Sequence, residues 1–391
     1  MTRLGDVLTE AQPGFACGTQ DDKGVLQFRM NNVTRTGSLD LSKRRRVPRS
    51  AHKRLESFLL RDGDVVFNST NSPDGVGRAG LIQGLDEPAV FSNHFYRLRS
   101  DPERLAPGYL VRWLNWNFHV GVFKGMCRQW VNQATVARES LLDMSFDLPP
   151  IEEQRRIAAI LDHADVLAAR CQRRLVHLTH LDAAVYQTFI GQAEWPKRPI
   201  GDIATKVGSG ATPRGGSKAY KDEGVALIRS MNVHDGRFSW KDLARLDAVQ
   251  ARGLDNVVVE EDDVLLNITG ASVARVTRAP ATVLPARVNQ HVAIIRPRAA
   301  TIAPRILEQH LMSPKVKRDL LRLAGAGATR EAITKAEILK LVVPIPDSAA
   351  QDAYLAAATA LDVQRERALA MAKSGSQLKS SLQAQAFSGR L

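Results

Sequence analysis

The chain has 391 residues, 44% of them hydrophobic, and a formal net charge of +13. This length allows two or three domains with cores of their own, in a composition typical of globular proteins. The three cysteines, Cys17, Cys127 and Cys171, are too far apart to suggest a disulfide framework or a zinc site, and no apolar run suggests a membrane span or secretion signal. We therefore expect a cytoplasmic protein.

The two halves of the chain repeat each other weakly, at a spacing of about 200 residues. This spacing is too long for a solenoid or a propeller. It predicts a duplicated two-part unit and a pseudo-twofold molecule. The matching positions keep their order: Leu4-Gly5-Asp6 and Ile200-Gly201-Asp202, Arg29 and Arg229, Asn32-Val33 and Asn232-Val233, Asp64 to Asn68 and Asp263 to Asn267, His94 and His291, Arg99 and Arg296, Gln154 and Gln351.

The first part of each unit, residues 1–147 and 193–343, has the pattern of a mixed α/β domain. Short runs rich in β-branched and aromatic residues alternate with polar, glycine-containing turns. The predicted strands are Val25 to Met30, Asp64 to Asn68, Ala226 to Arg229, Asp263 to Ile268 and His291 to Ile295, and the predicted helices are Tyr109 to Phe118 and Arg305 to Leu311.

The second part of each unit, residues 148–192 and 344–391, has the pattern of one long helix. Apolar residues recur at helical spacing in both segments, and the second pattern is interrupted at Gly375. A long helix with one apolar stripe needs a partner, and each helix can serve the other as an antiparallel coiled coil. The predicted fold class is α+β, with two α/β domains separated by two long antiparallel helices; a compact core built around the helices is the alternative.

The positive charge favours a polyanionic partner, because bound cations release counterions from nucleic acid. Solubility or an acidic protein partner would also explain it. The charge is concentrated in Lys43-Arg44-Arg45-Arg46, Arg49 and Lys53-Arg54. Four consecutive basic residues cannot share one strand face, so we expect a loop laid along phosphates.

Motifs for catalysis are missing from the sequence. The glycines of Gly210 to Lys218 lack the spacing of a phosphate-binding loop, and His177 and His180 have no third metal ligand nearby. The sequence therefore offers no candidate active site, and we expect no metal site.

The segment that opens the first long helix, Leu148-Pro149-Pro150-Ile151-Glu152-Glu153-Gln154-Arg155-Arg156-Ile157, resembles the start of the first spacer in specificity subunits of type I restriction-modification systems. Thr212-Pro213 in a glycine-rich loop and Phe387-Ser388-Gly389 also fit this family. The second spacer opens differently, with Pro346-Asp347-Ser348-Ala349-Ala350-Gln351, and the first domain has no comparable Thr-Pro loop.

This resemblance covers essentially the whole chain and implies a non-catalytic subunit that reads double-stranded DNA. Each α/β domain would be a target-recognition domain for one half of a split, asymmetric site. The helices would dock two modification subunits that use S-adenosylmethionine, and two restriction subunits that use ATP and Mg²⁺ could join them. This chain would bind no cofactor itself.

Site residues are predicted by residue type and position. Phosphate contacts are expected from Arg44, Arg45, Arg46, Lys53 and Arg54 in the first domain and from Arg214, Lys218, Lys221 and Lys241 in the second. The candidate base readers are Asn31, Asn32, Asn71, Asn232, Thr269 and Ser272, with turn capping as the competing role. The candidate contacts to partner subunits are Arg155, Arg156, Arg173 and Arg174.

Two other functions remain open at this stage. A stand-alone DNA-modifying enzyme would need a cofactor site in this chain. A scaffold that joins proteins through its helices would bind no DNA.

Overall fold

The computed structural model describes residues 1–129, 133–213, 215–325 and 332–387. The chain divides into two compact units, the first formed by Met1–Gln172 with Ala370–Leu391 and the second by Arg173–Leu369. Each unit therefore contains one α/β part and a stretch of both long helices. Within the described ranges, no helix is long and apolar enough to cross a membrane.

The first unit is built on a four-stranded antiparallel sheet, with the strand order Leu8–Pro13, Phe95–Ser100, Val65–Asn68, Ala79–Leu81. A three-stranded sheet accompanies it, in which Val25–Phe28 pairs antiparallel with Arg46–Val47 and parallel with Ala89–Phe91. The remaining strands are short: Thr2–Arg3, Thr70–Asn71, Arg128–Gln129, Ala134–Thr135 and Ser145–Phe146.

The second unit repeats this topology. Its antiparallel sheet has the order Ala204–Ser209, Val292–Pro297, Val264–Asn267, Val276–Arg278. In its companion sheet, Val225–Ile228 pairs antiparallel with Ala244–Leu246 and parallel with Ala286–Val288, which also pairs with Val258–Val259. The same strand order in both units supports the predicted duplication. The remaining strands are Lys197–Pro199, Val233–His234, Arg237–Phe238 and Val342–Pro344.

The shorter helices frame these sheets: Pro107–His119, Val122–Met126 and Arg138–Leu142 in the first unit, and Ile200–Ile203, Ala248–Arg252, Pro304–Met312, Pro314–Gly325 and Lys335–Lys340 in the second. Pro107 and Pro304 open two of them. Proline suits this position because its missing N–H would have no helical partner there.

The two long helices are Ile151–Tyr186, followed by a π-helical turn at Gln187–Gly191, and Ser348–Phe387. The second long helix runs through Gly375, where the apolar pattern of the sequence is interrupted. A glycine inside a helix costs only about 1 kcal/mol relative to alanine, which a long helix tolerates.

Within each unit the long helices run antiparallel, as predicted. In the second unit, Arg174 donates to Gln364 at 2.8 Å while the rings of Tyr186 and Tyr354 lie 6.1 Å apart. The contact further along the first long helix is therefore nearer the start of the second, as antiparallel packing requires. In the first unit Asp165 pairs with Lys379, and the Leu382 to Phe387 end of the second helix joins the core that contains Ile157.

The glutamine near the start of each long helix ties that helix to the α/β part of its unit. Gln154 is fully buried, and its Oε1 accepts the N–H of Ala106 at 2.9 Å. Its Nε2 donates to the carbonyls of Arg104 and Pro149, both at 2.8 Å. The motif around Gln154 therefore fixes where the helix leaves the domain.

Gln351 makes the same three bonds in the second unit, accepting from Ala303 at 2.9 Å and donating to Thr301 at 3.1 Å and Pro346 at 3.0 Å. The divergent start of the second spacer has thus kept the residue that makes the connection.

Replacing Gln154 with alanine should lower the free energy of unfolding by about 2–4 kcal/mol, because it leaves a buried N–H and two carbonyls without partners. Urea denaturation measures the change. Gln172→Ala, at an exposed position of the same helix, should change stability by less than about 0.5 kcal/mol. Equal effects of the two substitutions would contradict this role for Gln154.

Candidate nucleic-acid interface

A turn with the sequence Arg-x-x-Asn occurs at the same place in both units. In the first unit, Asn32 Oδ1 accepts the N–H of Arg29 at 2.9 Å. Its Nδ2 donates to the carbonyls of Asp40 at 2.8 Å and Lys43 at 3.1 Å. The Asn32 amide thereby holds the loop over residues 40–43 in place.

In the second unit Asn232 does the same. Its Oδ1 accepts the N–H of Arg229 at 3.0 Å, and its Nδ2 donates to the carbonyls of Ser239 at 2.9 Å and Lys241 at 3.2 Å. Arg229 itself donates to the carbonyl of Asp242 and lies 5.2 Å from the ring centroid of Tyr220.

These contacts remove Asn32 and Asn232 from the candidate base readers. Asn32 is 2% exposed and Asn232 is completely buried, so neither can present its amide to a base edge. Both side-chain amides form hydrogen bonds to backbone groups, which is the turn-capping role. The sequence repeat could have indicated this structural role, because the same residue at matching positions of both units cannot distinguish two different half-sites.

The clamped loops present different side chains to solvent. In the first unit Ser42 and Lys43 are exposed, and Asn31 is exposed beside the buried Asn32. In the second unit the exposed residues are Trp240 and Lys241. One scaffold therefore carries two unlike surfaces.

The basic run of the first unit is only partly available to a ligand. Arg44 pairs with Asp86 at 3.1 Å and Glu87 at 2.7 Å, and Arg46 also pairs with Glu87. Hydrogen bonds to Asp86 and then Glu87 raise the pKa of Arg44. We expected the whole basic run to form a loop. This prediction was wrong for Arg46, which lies in the strand Arg46–Val47.

Arg45 is also occupied by the protein, since its guanidinium donates to the carbonyls of Cys17 at 2.9 Å and Gly18 at 2.8 Å. In the part of the chain that the structure describes, the cations of this segment that are exposed and make no ion pair are Lys43, Arg49, Lys53 and Arg54. Lys53 and Arg54 therefore stay the strongest candidates for phosphate contacts.

Of the other candidate base readers, Asn71 lies in an edge strand, while Thr269 and Ser272 follow the inner strand Val264–Asn267. Asn71 is 8% exposed and pairs in the short strand Thr70–Asn71, with its Oδ1 bound to the N–H of Ser72 at 2.8 Å. Thr269 is half-buried and shares a hydrogen bond of 2.5 Å with His291. Ser272 is half-buried and accepts from Asn267 at 3.2 Å. Of the six candidate base readers, all of them within the described ranges, only Asn31 is exposed.

The cations predicted for the second unit are placed unevenly. Arg214 lies outside the described residues, as does the side chain of Lys218. Lys221 is half exposed and lies 3.7 Å from Asp247. Lys241 is exposed and makes no ion pair within the described ranges.

The arginines predicted to contact partner subunits are mostly engaged within the helices. Arg155 and Arg156 are exposed and pair with Glu152 at 2.5 Å and Glu153 at 2.7 Å, one helical turn earlier. Arg174 joins the two long helices through Gln364, as described above. Among the described residues, Arg173 and Arg174 are the members of this set that are exposed without an ion pair, and Arg174 is held by its hydrogen bond to Gln364.

Among the described residues there is no group of three or more histidine, cysteine, aspartate or glutamate side chains that could hold a metal ion.

Comparison with known proteins gives one consistent result. No model of a known protein family matches the chain. A protein described as the MjaX type I restriction enzyme specificity subunit of Methanocaldococcus jannaschii is 22% identical over 378 residues, covering 92% of this chain and 85% of that protein. The StySPI specificity subunit of Salmonella potsdam is 24% identical over 151 residues, 37% of this chain and 33% of that protein.

Solved structures agree at the level of the fold. The S subunit of a type I restriction-modification system from M. genitalium has a TM-score of 0.59 at 12% identity, covering 99% of this chain and 95% of its own. A chain from a type I system, solved in work on complex assembly and conformational transition, has a TM-score of 0.58 at 18% identity, covering 100% of this chain and 97% of its own.

The chain is similar to type I specificity subunits in sequence and in fold. This similarity confirms the resemblance predicted from the sequence. Because it extends over both units, it favours the specificity-subunit interpretation over a stand-alone enzyme or a scaffold.

Proposed function

We propose that the chain is the non-catalytic DNA-specificity subunit of a type I restriction-modification complex. Each α/β part, residues 1–147 and 193–343, reads one half of a split, asymmetric target. The helical segments, residues 148–192 and 344–391, dock two modification subunits, and restriction subunits join the complex.

One observation carries this proposal. The two units share a sheet topology and an asparagine clamp but expose different residues on the clamped loop, Ser42 and Lys43 in one and Trp240 and Lys241 in the other. A reader of an asymmetric site needs this combination of one scaffold with two reading surfaces. The net charge of +13 would attract phosphates, as would Lys53 and Arg54, which are exposed and make no ion pair in the described part of the chain.

Catalysis belongs to the partners in this proposal. The modification subunits bring S-adenosylmethionine for adenine methylation, and the restriction subunits use ATP with Mg²⁺. The complex works in the cytoplasm, where the DNA is.

The test is sequencing of modified adenines in DNA from cells that express this chain with its modification subunit. We expect a split, asymmetric motif that is absent from cells with the modification subunit alone. A demonstrated complex that leaves no new modified motif would contradict the proposal and favour the scaffold. Purified chain that binds S-adenosylmethionine or cuts DNA unaided would favour the stand-alone enzyme.

A further inference from the structure

Trp240 in the second unit is a large aromatic side chain on the surface. It is 50% exposed, and Met231, which precedes the clamping Asn232, is 41% exposed. A half-exposed indole leaves a large apolar area in water that a bound partner would bury, and tryptophan is enriched at interfaces for this reason.

The backbone around Trp240 is fixed although its side chain is exposed. Asn232 binds the carbonyls on both sides of it, at Ser239 and Lys241. The ring of Phe238 meets the Trp240 ring edge to face at a centroid distance of 5.0 Å. The indole therefore projects from a preorganised loop and would lose little conformational entropy on binding.

The shared scaffold does not require this aromatic residue. The equivalent loop of the first unit, clamped by Asn32, has Leu41, Ser42 and Lys43 and no aromatic residue. Asn31 stands where the second unit has Met231. The fold is built equally well without the indole, so its exposure points to a role in recognition.

The neighbouring charges favour nucleic acid as the occupant. Lys241 follows Trp240, and Arg237 of the same hairpin is exposed. Two carboxylates are also nearby: Asp235 is neutralised by Lys317 at 2.6 Å, while Asp242 is next to Lys241. In the first unit the equivalent loop ends at Lys43, which is exposed and makes no ion pair among the described residues. Both clamped loops thus lie beside cations that can hold a phosphate backbone.

We propose that Trp240 stacks on a base of the DNA half-site bound by the second unit, and that the exposed Met231, next to the clamping Asn232, makes a second apolar contact. This inference rests on the proposed function and names the group that reads one half of the target. Stacking requires a base step to open. Pyrimidine–purine steps open most easily, so the half-site should contain one at this position.

The test uses the full-length chain in complex with its modification subunits and a duplex carrying the motif found by sequencing modified adenines. Trp240→Ala should weaken binding about tenfold or more, while Trp240→Phe should keep most of the affinity. In cells, Trp240→Ala should relax the modified motif in one half only.

Tryptophan fluorescence separates stacking from a structural role. Binding of the duplex to the wild-type complex should quench a signal that Trp240→Phe lacks although it still binds. Leu321→Ala, which removes an exposed apolar side chain elsewhere in the second unit, is the control and should leave DNA affinity and motif unchanged.

Three outcomes are decisive. An unchanged motif and affinity in Trp240→Ala would overturn the inference and leave the proposed function intact. Loss of modification-subunit binding by Trp240→Ala with DNA affinity retained would also overturn it, by assigning the surface to a protein. Failure of the proposed function is distinguishable, since the wild-type complex would then yield no motif.

Discussion

Replacing Arg305 with alanine should lower the free energy of unfolding by about 3–5 kcal/mol, because it removes one of the two cations that face each of the buried carboxylates Asp182 and Glu308. Arg305 is 8% exposed and donates to Asp182 at 2.7 Å, to Asp362 at 3.2 Å and to Glu308 at 3.5 Å. Burial opposes its charge, but Glu308, Asp182 and Asp362 outweigh burial and raise its pKa. Asp182 and Glu308 are 6% and 2% exposed.

This cluster ties three helices of the second unit together. Arg305 lies on the helix Pro304–Met312, while Asp182 and Asp362 lie on the first and second long helices. Arg365 also reaches Asp182, at 2.9 Å, and holds part of the cluster when Arg305 is removed. The pairing of the long helices in this unit therefore depends on buried charges as well as on apolar packing.

Urea denaturation followed by circular dichroism measures the loss, and hydrogen exchange should place it in the second unit. Arg322→Ala is the matched control, because Arg322 is 79% exposed in its pair with Asp319. Exposed pairs contribute about 0–1 kcal/mol. A loss below about 1 kcal/mol for Arg305→Ala would show that the carboxylates are stabilised without it.

Removing the charges of Lys53 and Arg54 together should weaken DNA binding about 30-fold at physiological salt. Each phosphate contact contributes about 0.9 to the slope of log affinity against log salt, so Lys53→Gln with Arg54→Gln should make that slope shallower by about 2. Both side chains are exposed and make no ion pair within the described ranges, so the substitutions should leave stability unchanged.

Fluorescence anisotropy with a labelled duplex, over a series of salt concentrations, measures the slope. Arg318→Gln with Arg322→Gln removes the same charge from the helix Pro314–Gly325 and is the control for net charge. Equal slopes for the two double variants would mean that overall charge attracts DNA and would remove Lys53 and Arg54 from the interface.

The sequence located candidate residues better than it assigned their roles. Arg44, Arg45 and Arg46 stand out in the chain as a basic run, but the acceptors that engage them come from distant segments: Asp86 and Glu87 for Arg44 and Arg46, and the carbonyls of Cys17 and Gly18 for Arg45. Sequence proximity cannot show such pairing. The same holds for Asn32, whose acceptors are loop carbonyls 8 and 11 residues away.

Trp240 is a residue whose role the sequence did not indicate. A tryptophan is usually predicted to lie in a core, since aromatic side chains contribute much of the buried area. Only the three-dimensional fold shows that Trp240 is half exposed, on a loop whose backbone is fixed by Asn232.

The duplication, the two α/β parts and the two long helices could be predicted before the structure was known, because periodicity, turn chemistry and repeated residues are local properties of the chain. The glutamine near the start of each long helix was also visible in the sequence as part of a motif, but its structural role was not. What that glutamine binds, which of the described cations make no ion pair and which polar groups are buried became visible only in the folded chain. These depend on contacts between segments far apart in sequence, which local patterns do not encode.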